Sequence, residues 1–253
     1  MDFDALRAYW HTEEEQAHML GWDFTHIDGR YDQPGPPWDV RTEILARLQP
    51  HHRLLDMDTG GGEFLLSLDH PYGQTAATEA FPPNVQLCRE KLAPLGIDFR
   101  PARADGPLPF ADASFDIVVN RHGSFNAEEI FRVLKPSGMF ITQQVGGLND
   151  HGLVELLVPG LRRQYTDFTA AVVANQFRRA GFTVEVEREA FMPCRFYETG
   201  ALVWFARIIA WEFCGFSVDG CFDQLVHAQQ LIDQQGYVEG VTHRFLLVAR
   251  KDG

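Results

Sequence analysis

Three consecutive glycines, Gly60-Gly61-Gly62, stand between a short apolar run and the apolar-periodic segment that follows it. Residues 53–57 read as a strand and 63–68 as the start of a helix. A chain that passes from strand to helix through bare backbone leaves N–H groups free at the helix start and lets a ligand approach closely. The location is fixed as well. In an open α/β sheet, ligands sit beyond the carboxyl ends of the strands, where strand order reverses.

The rest of the chain supplies such a sheet. Thr75–Glu79 and residues 97–100 read as strands, and residues 115–119 (FDIVV) are nearly continuously apolar, as suits a central parallel strand covered on both faces. Pro82-Pro83 opens a helix where a missing N–H costs nothing. Asn126 and Glu129 form a capping-box pattern that starts another, ended by Lys135-Pro136-Ser137-Gly138. A fifth strand is expected over 139–145 and a helix over 166–180, closed by Gly181. Strict alternation at 183–187 (TVEVE) predicts a strand near a sheet edge, and 244–249 reads as the last strand. Strands alternating with helices imply an α/β, doubly wound, parallel sheet.

Three pieces follow in the domain reading. Residues 1–40 are an N-terminal helical extension, with a helix over 3–20 and a Gly/Pro-rich loop over 28–39. Residues 41–190 and 241–253 form the ligand-binding domain. Residues 191–240, between two strands that need only a turn, form a helical cap.

The formal net charge of −13 disfavours a nucleic-acid partner. None of the four cysteines forms a C-x-x-C pair, so neither a metal centre nor a thioredoxin-like one is expected. The acidic start Met1-Asp2-Phe3-Asp4 lacks a signal-peptide pattern. The apolar stretch 201–216 is interrupted by Arg207 and Glu212 and is short for a membrane span. These features predict a cytoplasmic protein without a membrane partner.

Glu79 closes the second strand, where an acid is placed to accept hydrogen bonds from both ribose hydroxyls of an adenosine cofactor. A dinucleotide loop reads G-x-G-x-x-G/A, whereas Gly60-Gly61-Gly62-Glu63-Phe64-Leu65 lacks the third small residue. Asp56, ending the first strand, would repel a pyrophosphate. A cofactor with cationic groups and no phosphate, S-adenosylmethionine (SAM), suits these carboxylates.

Four linked segments carry a resemblance. LLDMDTGGGEFL (54–65), TEAFPPNV (78–85), ADGPLPFADASFDIVVN (104–120) and FRVLKPSGMFI (131–141) resemble, in order and spacing, the motifs of class I SAM-dependent methyltransferases. The resemblance implies a seven-stranded, mostly parallel sheet with an antiparallel last strand. It also implies that Asp56 and the loop Asp58, Thr59, Gly60 and Gly62 hold the methionine part. Glu79, with Ala80 beside it, would take the ribose, and Asp105, with Gly106, the adenine amino group; Asn120 would line the pocket. Asp58 departs from the family pattern, which has glycine there. It reaches the SAM ammonium, or caps the turn, or marks weakened binding in a non-catalytic relative.

His122, after the fourth strand, is the candidate general base; the competing reading is a histidine bonded to local backbone. Gln143 and Gln144 either orient the acceptor or satisfy loop amides. Tyr197 and Trp204 of the cap and Trp38 of the extension are candidate acceptor-wall residues, against a core reading for the cap aromatics. The function expected is methyl transfer from SAM, leaving S-adenosylhomocysteine, to a small molecule. The alternatives are an rRNA or protein methyltransferase and a non-catalytic SAM-binding protein.

Overall fold

The structure, a computed structural model, describes residues 2–18 and 23–252. The expected N-terminal helix appears as α1 (Phe3–Glu15), with Asp2 accepting from the Ala5 N–H at its start; residues 19–20 of that expectation lie outside the described residues.

The sheet has eight strands in the order β1-β7-β8-β6-β5-β2-β3-β4. Their ranges are β1 (Tyr31–Asp32), β2 (Leu54–Met57), β3 (Thr75–Glu79), β4 (Asp98–Pro101), β5 (Phe115–Arg121), β6 (Leu134–Val145), β7 (Phe182–Phe196) and β8 (Val238–Lys251). Strands β4, β3, β2, β5 and β6 are mutually parallel, and β8 runs antiparallel to β6, as expected of the last strand. The count exceeds the expected seven because β7 is long enough for Arg195 and Phe196 to pair with the two-residue β1.

The residues group into two compact units. One comprises residues 37–146, 168–190 and 244–253, and its strands bury both faces with period 2. Leu55, Met57, Val118, Phe140 and Leu247 face one apolar cluster, which they share with α5 (Ala127–Val133) and α7 (Ala170–Arg179). Leu54, Ala77, Ile117, Val119 and Ile141 face the other, shared with α2 (Val40–Leu45), α3 (Glu63–Ser67) and α4 (Pro82–Lys91). Helices on both faces make this a doubly wound sheet.

The other unit comprises residues 1–36, 147–167 and 191–243. Its core gathers α1 with α6 (His151–Leu157), α8 (Thr199–Ile208) and α9 (Phe222–Gln235) around Trp10, Trp204, Phe205 and Phe213.

Three local expectations need correction. The Asn126–Glu129 pair forms only half of a capping box. Asn126 Oδ1 accepts from the N–H of Glu128 and of Glu129, but the Glu129 carboxylate turns away to the Leu108 N–H and Arg132. Lys135-Pro136-Ser137-Gly138 lies inside β6, which starts at Leu134 through a register shift between Phe115 and Ile117 of β5. Helix α7 begins at Ala170 because the Thr169 hydroxyl, accepting from the Val172 N–H, caps it there.

Candidate functional site

Strand order reverses at β2, with β3 and β4 on one side and β5 and β6 on the other. Register places Met57 opposite Asn120, and Asn120 opposite Thr142, so the carboxyl ends of β2, β5 and β6 coincide. The loop leaving β2 takes left-handed backbone at every second residue: Asp58 at φ 53°, Gly60 at 63° and Gly62 at 80°. Those are the family's three glycine positions, and the departure at the first leaves the turn intact, because aspartate is among the few side chains that tolerate this region. A Cβ on Gly60 would meet nothing within 4 Å, so its backbone faces open space. The turn is closed by Thr59, whose N–H donates to Thr78 O at 3.0 Å and whose hydroxyl donates to Asp56 Oδ2 at 2.7 Å.

Carboxylates converge here. Asp56 is 2% exposed, and burial pushes it up to about 7, against the pull of Thr59 and Arg121. Asp58 is pushed up to about 6, first by burial, then by repulsion from Glu79 and Asp105. Glu79, buried at the end of β3, accepts from the N–H groups of Gly60, Ala80 and Phe81 at 2.9, 2.7 and 2.9 Å and from Asn84 at 3.3 Å. Asp105 is exposed and held by Arg103 at 3.0 and 2.8 Å, which keeps it below the ordinary carboxylate range; Gly106 N–H donates to Arg103 O beside it. Two carboxyls made reluctant to ionise are relieved by a ligand that brings positive charge, and burdened further by one that brings phosphate. The donor set fits the sulfonium and ammonium of SAM.

Beyond these acids lies a neutral polar cluster. Asn120, fully buried, donates to Met57 O at 3.1 Å and accepts from Gln144 Nε2 at 2.6 Å. Gln144 Nε2 also reaches Thr142 Oγ1 at 2.7 Å and Gly123 O at 3.1 Å, so the two amides mainly satisfy each other and local backbone. Trp38 Nε1 donates to Gln143 Oε1 at 2.9 Å. That contact orients the amide so that Gln143 Nε2 donates to His122 Nε2 at 3.2 Å, while the His122 N–H donates to Gln143 O at 2.9 Å.

His122 keeps some exposed surface, yet the protein crowded around its ring, with Arg244 and Arg121, pushes it down to about 4. It is neutral at pH 7 and its Nε2 lone pair is taken. Of the two readings of His122, local hydrogen bonding is the one this geometry fits.

The expected acceptor-wall residues of the cap belong to the other unit. Tyr197 is 42% exposed and its N–H donates to Arg30 O. Trp204 is 2% exposed within the helical core, stacked on His26 at 5.2 Å and edge-on to Phe24 at 5.8 Å.

Three residues passed unnoticed in the sequence. Phe81, two positions past Glu79, is 60% exposed despite its size; a lone phenylalanine between an acid and a diproline was its only signal. A Cβ on Gly123 would stand 2.5 Å from Asp58 Oδ2 and 2.9 Å from Asn120 Nδ2, a closeness that pattern reading has no means to detect. Arg121 lies with its guanidinium carbon 3.9 Å from the Phe64 ring centroid.

Comparison with known proteins agrees with this geometry. Residues 55–142 match the methyltransferase-domain family. The phthiotriol/phenolphthiotriol dimycocerosates methyltransferase of Mycobacterium tuberculosis is 30% identical over 144 residues, covering 47% of this chain and 52% of that protein. The sterol methyltransferase-like 1 protein of Botryococcus braunii is 29% identical over 141 residues, covering 49% and 36%. The chain thus spans about half the length of the mycobacterial relative and about a third of the other.

Among solved structures, the YcgJ protein of Bacillus subtilis aligns with a TM-score of 0.56 at 18% identity, over 85% of this chain and 98% of its own. A Bacillus halodurans protein, itself a methyltransferase by inference, aligns at 0.58 and 16%, over 84% and 97%. These likenesses show the fold. Residues 55–142 are thus similar to the methyltransferase-domain family, and the fold around them is that of methyltransferases. Among the described residues, no helix is long and apolar enough to cross a membrane.

Proposed function

We propose that this protein transfers a methyl group from SAM to a small organic acceptor. The observation that carries the reading is the convergence of Asp56, Asp58 and Glu79 at the strand-order reversal, where the first two are held above their ordinary ionisation range. Asp56 and Asp58 would face the cationic methionyl end, Glu79 the ribose hydroxyls, and Asp105 the adenine amino group. Bound SAM supplies a methyl group already activated on sulfur, so the chain's own task is alignment and exclusion of water. His122, neutral and occupied by Gln143, would orient polar groups rather than remove a proton.

A small apolar acceptor is supported by the names of the relatives, which refer to a phthiotriol derivative and a sterol. The net charge of −13 weighs against an RNA acceptor. Calorimetry on the full chain tests the cofactor: binding of S-adenosylhomocysteine and none of NAD is expected, and the reverse would overturn the reading. Label from methyl-labelled SAM should then pass to a low-molecular-weight lipid fraction. Transfer into RNA or protein instead would overturn the small-acceptor assignment.

A further inference from the structure

One cation of the sheet lies within the field of Asp56. Arg121 is the last residue of β5, one position past Asn120 and opposite Gln143 of β6. Its guanidinium carbon sits over the Phe64 ring, 3.9 Å from the centroid, in the first turn of α3. A cation held over an aromatic ring loses some of its freedom before any ligand arrives.

Its Nε is shut off from water and has no hydrogen-bond partner among the described residues. Burial pulls its pKa down, while the fields of Asp56 and Asp39 hold it up. Neither acid pairs with it. Asp39 accepts from the Arg41 N–H and the Thr42 hydroxyl, and Asp56 from the Thr59 hydroxyl. A buried charged donor left unsatisfied is costly, and native structures keep one where something else satisfies it.

We propose that Arg121 binds the carboxylate of the methionyl end of SAM and so makes the site selective for cofactors that carry it. The inference rests on the SAM reading above. The methionyl end is a zwitterion. Asp56 and Asp58 answer its ammonium, but the same acids would repel its carboxylate unless a cation stood with them. Arg121 is half-buried within the field of Asp56, has a buried donor to spare, and carries the fork that meets a carboxylate with two parallel hydrogen bonds. Ligands that keep the adenosine and sulfur but lack the carboxylate leave that donor unmet.

The test compares two ligands by calorimetry on the full chain: S-adenosylhomocysteine, which has the carboxylate, and 5′-methylthioadenosine, which does not. Arg121→Met should weaken S-adenosylhomocysteine roughly 10- to 100-fold, the range for a lost hydrogen bond to a charged group, and leave 5′-methylthioadenosine within about threefold. Arg121→Lys should recover part of the loss. If Arg121→Met fails to fold, the ratio of the two affinities in Arg121→Lys carries the test, and it should fall.

Equal loss for both ligands, or none for either, would overturn the assignment. Unchanged cofactor affinity with lost turnover of an anionic acceptor would overturn it too, and move Arg121 to the acceptor side. If the parent protein binds neither ligand, the SAM reading itself has failed, an outcome distinct from a parent that binds both equally.

Discussion

Asp58 occupies a position where the family carries glycine, and its replacement separates the stability of the fold from its use. Asp58→Asn keeps the shape and the tolerance of left-handed backbone at φ 53° and removes only the charge. The folded carboxyl titrates near 6, about two units above its ordinary 3.8. At 1.36 kcal/mol per unit the ceiling on the cost of ionising it is about 3 kcal/mol. The side chain is half-buried, and water screens it, so about 1.5 kcal/mol is the working figure.

The folded-state value is raised, so the handicap is absent below about pH 4 and complete above about pH 6. Asp58→Asn should therefore gain about 1.5 kcal/mol in unfolding free energy at pH 7.5, a rise in Tm of about 3–6 °C. About half of that gain should remain at pH 5, inside the titration window. Relief of Asp56, which Asp58 also pushes up, acts in the same direction.

Affinity for SAM should move the opposite way, falling roughly tenfold as one counter-charge is lost. Urea unfolding followed by circular dichroism at the two pH values, with calorimetry on S-adenosylhomocysteine and SAM, reads both effects. A variant no more stable than the parent at pH 7.5, or one equally stabilised at both pH values, would refute the electrostatic account of this residue. Undiminished affinity would leave Asp58 as a turn former alone.

The remaining expectations concern Glu79, His122 and Trp204. Glu79→Ala removes the acceptor for three backbone N–H groups as well as the proposed ribose contact, so it should weaken S-adenosylhomocysteine by about 1.5–3 kcal/mol and lower Tm; calorimetry with a melting curve checks both, and unchanged affinity would displace the ribose assignment. His122→Asn, tolerant of the φ of 59°, should keep turnover within about tenfold, against the 10²–10⁴ lost with a general base, and the pH–rate profile should show no inflection that the parent has and the variant lacks. Trp204→Ala should cost about 3–5 kcal/mol of stability in denaturant unfolding, as for a buried aromatic, while affinity for S-adenosylhomocysteine stays as in the parent.

The parts of the site legible in the sequence are those whose chemistry is local. Gly60 and Gly62 announce left-handed backbone by being glycine, and Glu79 announces itself by ending an apolar strand. The alternation over 183–187 shows in β7 as exposed and half-buried residues from Thr183 to Glu187. What escaped depends on partners distant along the chain. His122 looks like a base until Gln143, 21 residues on, caps its ring, and Gln143 is in turn oriented by Trp38, 105 residues back. No periodicity encodes that relay. Trp204 escaped for another reason: from Thr199 to Ala206 every residue of α8 is buried. A helix buried on all sides has no polar face against which an apolar one can be read, so core and ligand wall look alike in sequence.

Asp58 shows most directly how a departure from a motif is to be weighed. In sequence it stands for a broken pattern, open to a new ligand contact, a turn cap or a decayed site. Backbone angles show that the turn itself is kept, with left-handed geometry at 58, 60 and 62 alike. The charge then has to be explained by itself. An aspartate that only tolerated the turn would gain from pointing to water, yet this one is half-buried, close to Asn120 and Gly123, and pushed up by Glu79 and Asp105. A substitution that keeps the backbone and adds an electrostatic cost makes physical sense where a cation is to be bound. On the proposed reading, Asp58 belongs to the recognition of a positively charged ligand rather than to a damaged glycine loop.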